Sequence, residues 1–492
     1  MTKRAKKDYH NCNKDEFKSM TSETTCVTRT QTHKNVIDHS VQKECNPKTG
    51  ANMKRKILFL ISMVSLSSFS LANAANENDL PSNANAQKQS SSVIQDWWDG
   101  DTLTGNWGGV RDDLKSRGID LQASYTGAVL GNVIGGYKKG ATYNDSFGVS
   151  LDVNFGKLFK EHSLNNTRFH IDVVQRDGNN LSAEYIRNQY PVSQSYGGQN
   201  FRLNELYLQQ YWANKEISFK IGRLDASNDF LSSDIYCQFV NNAFCGSPIG
   251  IFYNVPFSAY PNAQWGAIVS AQSNYVVAKF GVYNTNESVS ENKYHGFNFS
   301  FNGDQGVQLI GSIGYLLNDN QRYAGHYTFG MTYFTGPNEN PAYYGQNSGT
   351  YDRRDTGYYL QADQAIYDQG IRTLKTFLTI EYFNHWESNY MPLFVDGGFT
   401  FKGINPYRPN DTAGLGFAYG RYGRDVITQK GANFGYEMNI DLNYKIQVNK
   451  WLAIQPDLQY IIHPYGGSIQ LSGTPSSPPN ALVVATQVQI AI

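Results

Sequence analysis

The sequence predicts an all-β fold, a transmembrane antiparallel β-barrel of 16 or 18 strands, and three observations predict it. Apolar and polar residues alternate with period two over windows of about ten residues along most of the chain, long enough to cross a bilayer at a tilt. The 34 Tyr and 27 Phe crowd those windows and their ends, while only 17% of residues are charged; such aromatics suit the two interfaces of a membrane. An export segment precedes the windows, and no later segment reaches the roughly 20 apolar residues of a membrane helix. In lipid every backbone group must be bonded internally, and strands achieve that only by closing into a barrel.

The elements follow in order. Residues 1–52 show no apolar periodicity and lie upstream of an export signal, so they read as a mis-called N-terminal extension that starts before Met53. Residues 53–74, "MKRKILFLISMVSLSSFSLANA", carry a basic start (Lys54, Arg55, Lys56), an apolar core and the small-x-small site Ala72-Asn73-Ala74. This is the pattern of a bacterial signal peptide cleaved before Ala75. Of the 42 basic and 42 acidic residues, 13 and 6 fall in 1–74. The remainder, 29 against 36, is acidic by about seven charges, which argues against a nucleic-acid partner. Residues 75–95, rich in Asn, Ser, Gln and Ala, form a flexible lead-in.

Residues 96–118 hold a short helix. Trp107, Val110 and Leu114 make an apolar stripe, Asp113 and Arg117 pair at i, i+4, and Gly118 suits a left-handed stop. Too short to be stable alone, the helix must dock; just before the first strand, it would cover the periplasmic rim of the barrel.

The barrel itself is expected over 119–492. After Gly118, Ile119, Leu121, Ala123, Tyr125 and Val129 share one face and Asp120, Gln122, Ser124 and Thr126 the other. Phe147, Val149, Leu151, Val153 and Phe155 alternate with Ser146, Gly148, Ser150, Asp152 and Asn154, and residues 436–446 repeat the pattern. Further windows lie at 167–176, 201–212, 216–224, 265–273, 275–284, 295–302, 306–316, 323–335, 354–367, 373–383, 393–402, 412–420, 451–462 and 480–492. That makes 17, whereas a bacterial barrel needs an even number. Either one window is loop or a strand near Ile249 to Phe257 completes 18.

Beyond residue 74 only Cys237 and Cys245 remain of five cysteines. In an oxidising compartment they suggest one small disulfide loop, with a pair of free thiols as the alternative.

Several stretches resemble the carbohydrate-selective porins of the OprB family. "LTGNWGGVRDDLKSRGIDLQASY" is similar to the segment before that family's first strand, and "CQFVNNAFCG" (237–246) to its cysteine-containing loop. "ADQAIY" (362–367), "FKGINPYRPNDTAGLGFAYG" (401–420) and "WLAIQPDLQYIIHPYG" (451–466) resemble its later strands. The resemblance covers about 98–492 and implies a 16-stranded outer-membrane barrel, narrowed by inward-folded loops, that passes small sugars by diffusion. It also implies a constriction lined by arginines and a glutamate. One departure is the aliphatic end, Val488-Gln489-Ile490-Ala491-Ile492, where such barrels usually close on an aromatic residue.

A sugar-passing pore needs groups that bond ring hydroxyls, aromatic faces, and binding weak enough to release the solute. Arg176 and Glu205 are the leading candidates for the constriction, followed by Arg202 and Arg223. Arg176 closes one window and Glu205 shares a face with Tyr207 and Gln209 on the next, so the two side chains are expected to approach across the lumen. For each, a plain lumen-facing charge paired across strands is the competing reading. The expected partners are small sugars and outer-membrane lipid; monomer and homo-oligomer stay open. No cofactor, metal or catalysis is implied: six histidines lie beyond residue 74 (162, 170, 295, 326, 385, 463), none in a recognisable nucleophile or metal motif. An outer-membrane barrel enzyme and a soluble secreted sugar-binding β-sandwich are the alternatives; lipid hydrolysis would reveal the first and detergent-free extraction the second.

Overall fold

The computed structural model describes residues 95–492 except 246–247, 303–305, 319–320, 337, 340–349, 352–353, 388, 431–433, 468, 472–473 and 477. Contacts divide the chain into Met1–Ala75 and Asn76–Ile492, and all described residues belong to the second unit. The readings of 1–52 as an extension, 53–74 as a signal peptide and 75–95 as a lead-in fall, save for residue 95, outside the described residues.

The strands are β1 (Ile119–Ile134), β2 (Gly140–Asn154), β3 (Thr167–Gly178), β4 (Phe201–Trp212), β5 (Ile217–Leu224), β6 (Gln264–Gln272), β7 (Val276–Asn284), β8 (Val307–Leu317), β9 (Gly325–Phe334), β10 (Asn338–Glu339), β11 (Thr350–Tyr351), β12 (Asp355–Asp368), β13 (Thr373–Phe383), β14 (Leu393–Lys402), β15 (Thr412–Arg421), β16 (Tyr436–Gln447), β17 (Leu452–Ile462), β18 (Ile469–Leu471), β19 (Thr474–Ser476) and β20 (Ala481–Ala491). Sixteen of them, all but the small hairpins β10–β11 and β18–β19, close in sequence order into one antiparallel barrel. The seam joins β1 to β20, with Ser124 opposite Ala491. One end carries short turns such as 213–216 and 273–275; the other carries long loops such as 179–200 and 225–263.

Period two explains the two faces. Val129, Phe147, Leu208, Phe280, Leu378, Leu442 and Val484 stand exposed around the outside, and Gln361, Thr379, Asp396, Asp441, Gln459 and Gln487 are buried inside. Among the outward residues, Phe147 faces Tyr125 across β1–β2, and Leu415 faces both Phe399 and Leu442.

Residues 225–245 and 248–263 fold into the lumen and pack on its wall. Tyr236, Phe239, Phe244 and Ile249 pack on Phe377 and Phe394 of the wall, while Phe230, Leu231, Ile251 and Phe257 pack on Tyr283, Tyr359 and Phe383. Each such side chain contributes roughly 1.5–3 kcal/mol of burial. Polar bonds tie the same loop to the far wall: Tyr236 Oη to Thr379 Oγ1 (2.7 Å), Gln238 Nε2 to Asn443 Oδ1 (2.8 Å) and Asn241 Nδ2 to Gln459 Oε1 (2.9 Å). Cys237 and Cys245 are disulfide-bonded within it. The 179–200 loop is held differently: Glu437 accepts the backbone N–H of Gln189 at 2.8 Å and of Tyr190 at 3.0 Å, and also that of Tyr465 at 2.6 Å.

Three expectations change. Residues 295–302 alternate but form no barrel strand; Phe297, Phe299 and Phe301 are exposed, and the segment's carbonyls at Gly296 and Asn298 bond Arg223 instead of a neighbouring strand. No strand forms near Ile249 to Phe257, where Gly250–Tyr253 is a 3₁₀ turn inside the barrel; the count is therefore 16, not 18. Phe155 leaves its alternating series, because β2 ends at Asn154 and Phe155–Phe159 is a helical turn capped by the Asn154 side chain.

The opening helix spans Val110–Ser116, after a 3₁₀ turn at Trp107–Gly109. Gly118 adopts φ +89°, and a Cβ there would sit 2.7 Å from Lys157 Cβ. Arg117 pairs with Asp113 at 2.9 Å. The apolar stripe, however, does not dock: no residue of the helix is buried, and Trp107 and Val110 are exposed. Polar clasps hold the segment, together with Trp97 and Trp98, whose rings pack on Trp451 at 5.1 and 6.0 Å. Arg111 Nη2 donates to the Ile492 carbonyl (3.0 Å), Leu103 N–H to the Ala491 carbonyl (2.8 Å), and Lys450 pairs with Asp101 (2.9 Å).

Candidate functional site

Two cavities lie where β3 and β4 meet the folded-in loop. Along β3 the inward residues are His170, Asp172, Val174 and Arg176; His170 and Asp172 line a cavity of about 630 Å³, and Arg176 lines a second of about 270 Å³. In β4, Arg202 and Glu205 are three apart, so a regular strand would turn them to opposite faces. A bulge resolves this. Ile171 pairs with Leu206 but Val173 with Leu203, so Asn204 and Glu205 together oppose Asp172. A bulge leaves a backbone N–H unpaired; here Asp172 Oδ1 accepts the Glu205 N–H at 2.8 Å, and Asn204 Nδ2 donates to the same carboxylate at 3.3 Å. Both Arg202 and Glu205 thereby stay on the inner side.

Glu205 lines the larger cavity; its Oε1 accepts the Asp225 N–H (2.9 Å) and its Oε2 an Asn228 Nδ2 proton (3.3 Å). Arg176 lies on the loop side, only 6% exposed, with Nη1 donating to the Gly197 carbonyl at 3.3 Å and its guanidinium 4.7 Å over the Tyr260 ring. Tyr260 lines both cavities and so stands between them. Burial pushes its phenol up, with Arg176 opposing, so it stays neutral and able both to donate and to accept. Burial, reinforced by Glu205, likewise pushes the Asp225 carboxyl well above the usual range; its Oδ1 accepts from Ser227 Oγ at 2.6 Å.

Arg176 and Glu205 do not form the expected pair. Glu205 is level with Asp172, and Arg176 lies four residues further along β3, about 13 Å at the usual rise per residue. Arg202 sits opposite Val174, buried between the 179–200 loop and the β7–β8 connection, with Nε bonded to Asn200 Oδ1 (3.2 Å) and Nη2 to Asn292 Oδ1 (2.8 Å). Arg223 departs further from expectation. It is opposite Leu206 and two residues from exposed Ile221, hence on the outward register, and it is buried by the covering segment at 296–298. The Cys237–Cys245 loop reaches the smaller cavity directly, where Cys245 lines the wall beside Asn242 and Phe252.

Sequence reasoning missed Tyr260, His170 and Asp172. A third cavity, about 220 Å³, lies by the opposite wall between Ser232–Ile235 and His326, Asp363 and Lys375. The whole arrangement offers guanidinium, carboxylate, amide and phenol groups around water-sized space. It is suited to trading hydrogen bonds with a hydroxylated solute in passing.

Residues 138–491 match the family described as carbohydrate-selective porin, OprB family. The chain is similar to Porin B of Pseudomonas aeruginosa, at 28% identity over 427 residues, covering 79% of this chain and 90% of that protein. It is similar to the putative porin QuiX of Acinetobacter baylyi, at 27% identity, covering 76% and 91%. Among solved structures it resembles the high-pH structure of Pseudomonas putida OprB, with 26% identity and a TM-score of 0.71, covering 80% of this chain and 99% of that one.

Proposed function

The chain belongs to the carbohydrate-selective porins of the OprB family, and from that premise we propose that it lets small sugars, monosaccharides such as glucose, diffuse passively through the outer membrane into the periplasm. Its relatives are porins, which points to a channel rather than an enzyme. The proposal includes export by the 53–74 signal peptide, with the long loops facing outward and the short turns the periplasm.

The observation that carries the reading is the junction at Tyr260, with Arg176 over its ring on one side and Glu205 in the cavity on the other. A sugar crossing there meets a cationic donor, an aromatic face and an anionic acceptor in turn. Arg176 and Glu205 contact the solute in succession; Arg202 supports the loops that shape the entrance, and Arg223 fastens the covering segment to the wall.

The test is glucose flux into liposomes. Arg176→Ala should slow it and make the pore more cation-selective, and Glu205→Ala should slow it and shift selectivity toward anions. Unchanged flux and selectivity in both variants would refute this placement of the constriction; no glucose flux through the unaltered protein would refute the function.

A further inference from the structure

The His170, Asp172 and Glu205 side chains meet in a way that sugar passage does not require. Each offers one ligating atom, and these atoms all lie within 4.8 Å of one another on the wall of the 630 Å³ cavity. His170 Nδ1 is bonded to Asp152 Oδ1 at 2.9 Å, which turns Nε2 toward Asp172 Oδ1, 3.9 Å away. A carboxylate behind the distal ring nitrogen is how proteins fix a metal-ligating histidine's tautomer and raise its basicity.

The two ligand carboxylates are themselves steadied from behind. The Glu205 N–H and Asn204 hold Asp172, and the Asp225 N–H and Asn228 hold Glu205. An ionised carboxylate accepts about four hydrogen bonds, so each keeps capacity toward the cavity.

The charges are also incomplete. Three carboxylates, Asp152, Asp172 and Glu205, surround the His170 ring, and among the described residues none is salt-bridged to Lys or Arg. The lysine near them, Lys220, is taken by Asp229 at 2.7 Å. The two less exposed carboxylates, Asp172 and Glu205, need a cation or a proton.

We propose that this trio is a divalent-cation site in the wall of the pore, of the zinc class, with further coordination positions open to the cavity. One imidazole and two carboxylates favour Zn²⁺ and its neighbours over Ca²⁺ or Mg²⁺, which take oxygen alone. Ligand bonds of about 2.0–2.2 Å require donors roughly 3.4 Å apart; the 3.9 Å pair is near that, and small side-chain rotations bring in the third. A bound ion narrows the passage below Tyr260 and offsets most of the local negative charge, so it hinders cations and alters solute flow without any moving lid.

The proposal stands apart from the sugar-porin reading, and its test separates the two. Zn²⁺ is titrated calorimetrically into the full-length, detergent-solubilised protein stripped with EDTA, in millimolar Mg²⁺. One equivalent should bind. His170→Ala and Glu205→Gln should abolish binding, and Asp152→Asn should weaken it about 10–100-fold. Asp172→Asn retains an acceptor for the bulge N–H, so it tests the ligand without undoing the fold. In planar bilayers Zn²⁺ should lower conductance of the unaltered pore and leave that of Asp172→Asn unchanged. No zinc bound by the unaltered protein, or undiminished binding in both His170→Ala and Asp172→Asn, overturns the site. Glucose flux in EDTA is the separate readout: if flux persists while zinc does not bind, only the cation site fails.

Discussion

Lysine placed on the outer face of β2 should cost stability according to depth, and lysine one residue away should not. β2 runs 15 residues, Gly140–Asn154, from the loop end to the turn end. At about 3.4 Å per residue and a tilt near 40°, each residue climbs roughly 2.6 Å along the barrel axis. With an apolar band about 25 Å tall starting at the turn end, Val149 lies about 13 Å up, at the midplane, and Leu151 about 8 Å up. A lysine costs about 2–4 kcal/mol at the midplane and falls to about 0–1 near the interface, so Val149→Lys should cost about 3 kcal/mol and Leu151→Lys about 2. Ser150 lines the 630 Å³ cavity; Ser150→Lys should cost under about 1 kcal/mol and instead change ion selectivity. Urea unfolding from lipid vesicles measures the first quantity and bilayer conductance the second. Equal losses at Ser150 and Leu151, or a larger loss at Leu151 than at Val149, would refute the face and depth assignment.

Cys237→Ser should leave the barrel assembled, because the closed loop hangs inside the wall; by chain entropy the bond contributes roughly 2–3 kcal/mol, and single-channel recordings should show a noisier open state. Glu437→Ala should strand three backbone N–H groups that the carboxylate now accepts; each buried loss costs about 1–3 kcal/mol, and faster protease cleavage within 179–200 is the readout. Asp411 holds the 403–411 turn: burial would raise its carboxyl, but bonds from Arg408, the Gln447 N–H and Tyr444 hold it below the ordinary 3.8. A lowered folded value means its stabilisation is fully present above about pH 3.8 and is lost as the pH falls through that lowered value; hydrogen exchange at the Gln447 amide should stay slow at pH 5 in the native protein and quicken in Asp411→Ala, which removes the acceptor.

Much of the barrel was legible because period two is a local property: every alternating window except 295–302 corresponds to a barrel strand. That exception alternates for another reason, since its phenylalanines point outward while its backbone serves Arg223. The site was less legible. Counting by twos puts Arg202 and Glu205 on opposite faces, and only the bulge opposite Asp172 reverses that. Tyr260 lies in the folded-in segment without periodicity, and what it faces depends on how 225–263 threads the lumen. His170 stood in no motif, because its neighbours Asp152, Asp172 and Glu205 come from three strands.

The seam carries a consequence for biosynthesis. β20 lies between β1 and β17, and the backbone beyond it is bonded to Ala123 and Arg111. Until the final strand arrives, β1 and β17 each present a row of bare amides and carbonyls that lipid cannot satisfy. A chain cut short by even that one strand would be a gutter rather than a smaller tube. Completeness is thus written into the topology: a copy without its last strand leaves two strand edges that the membrane cannot satisfy.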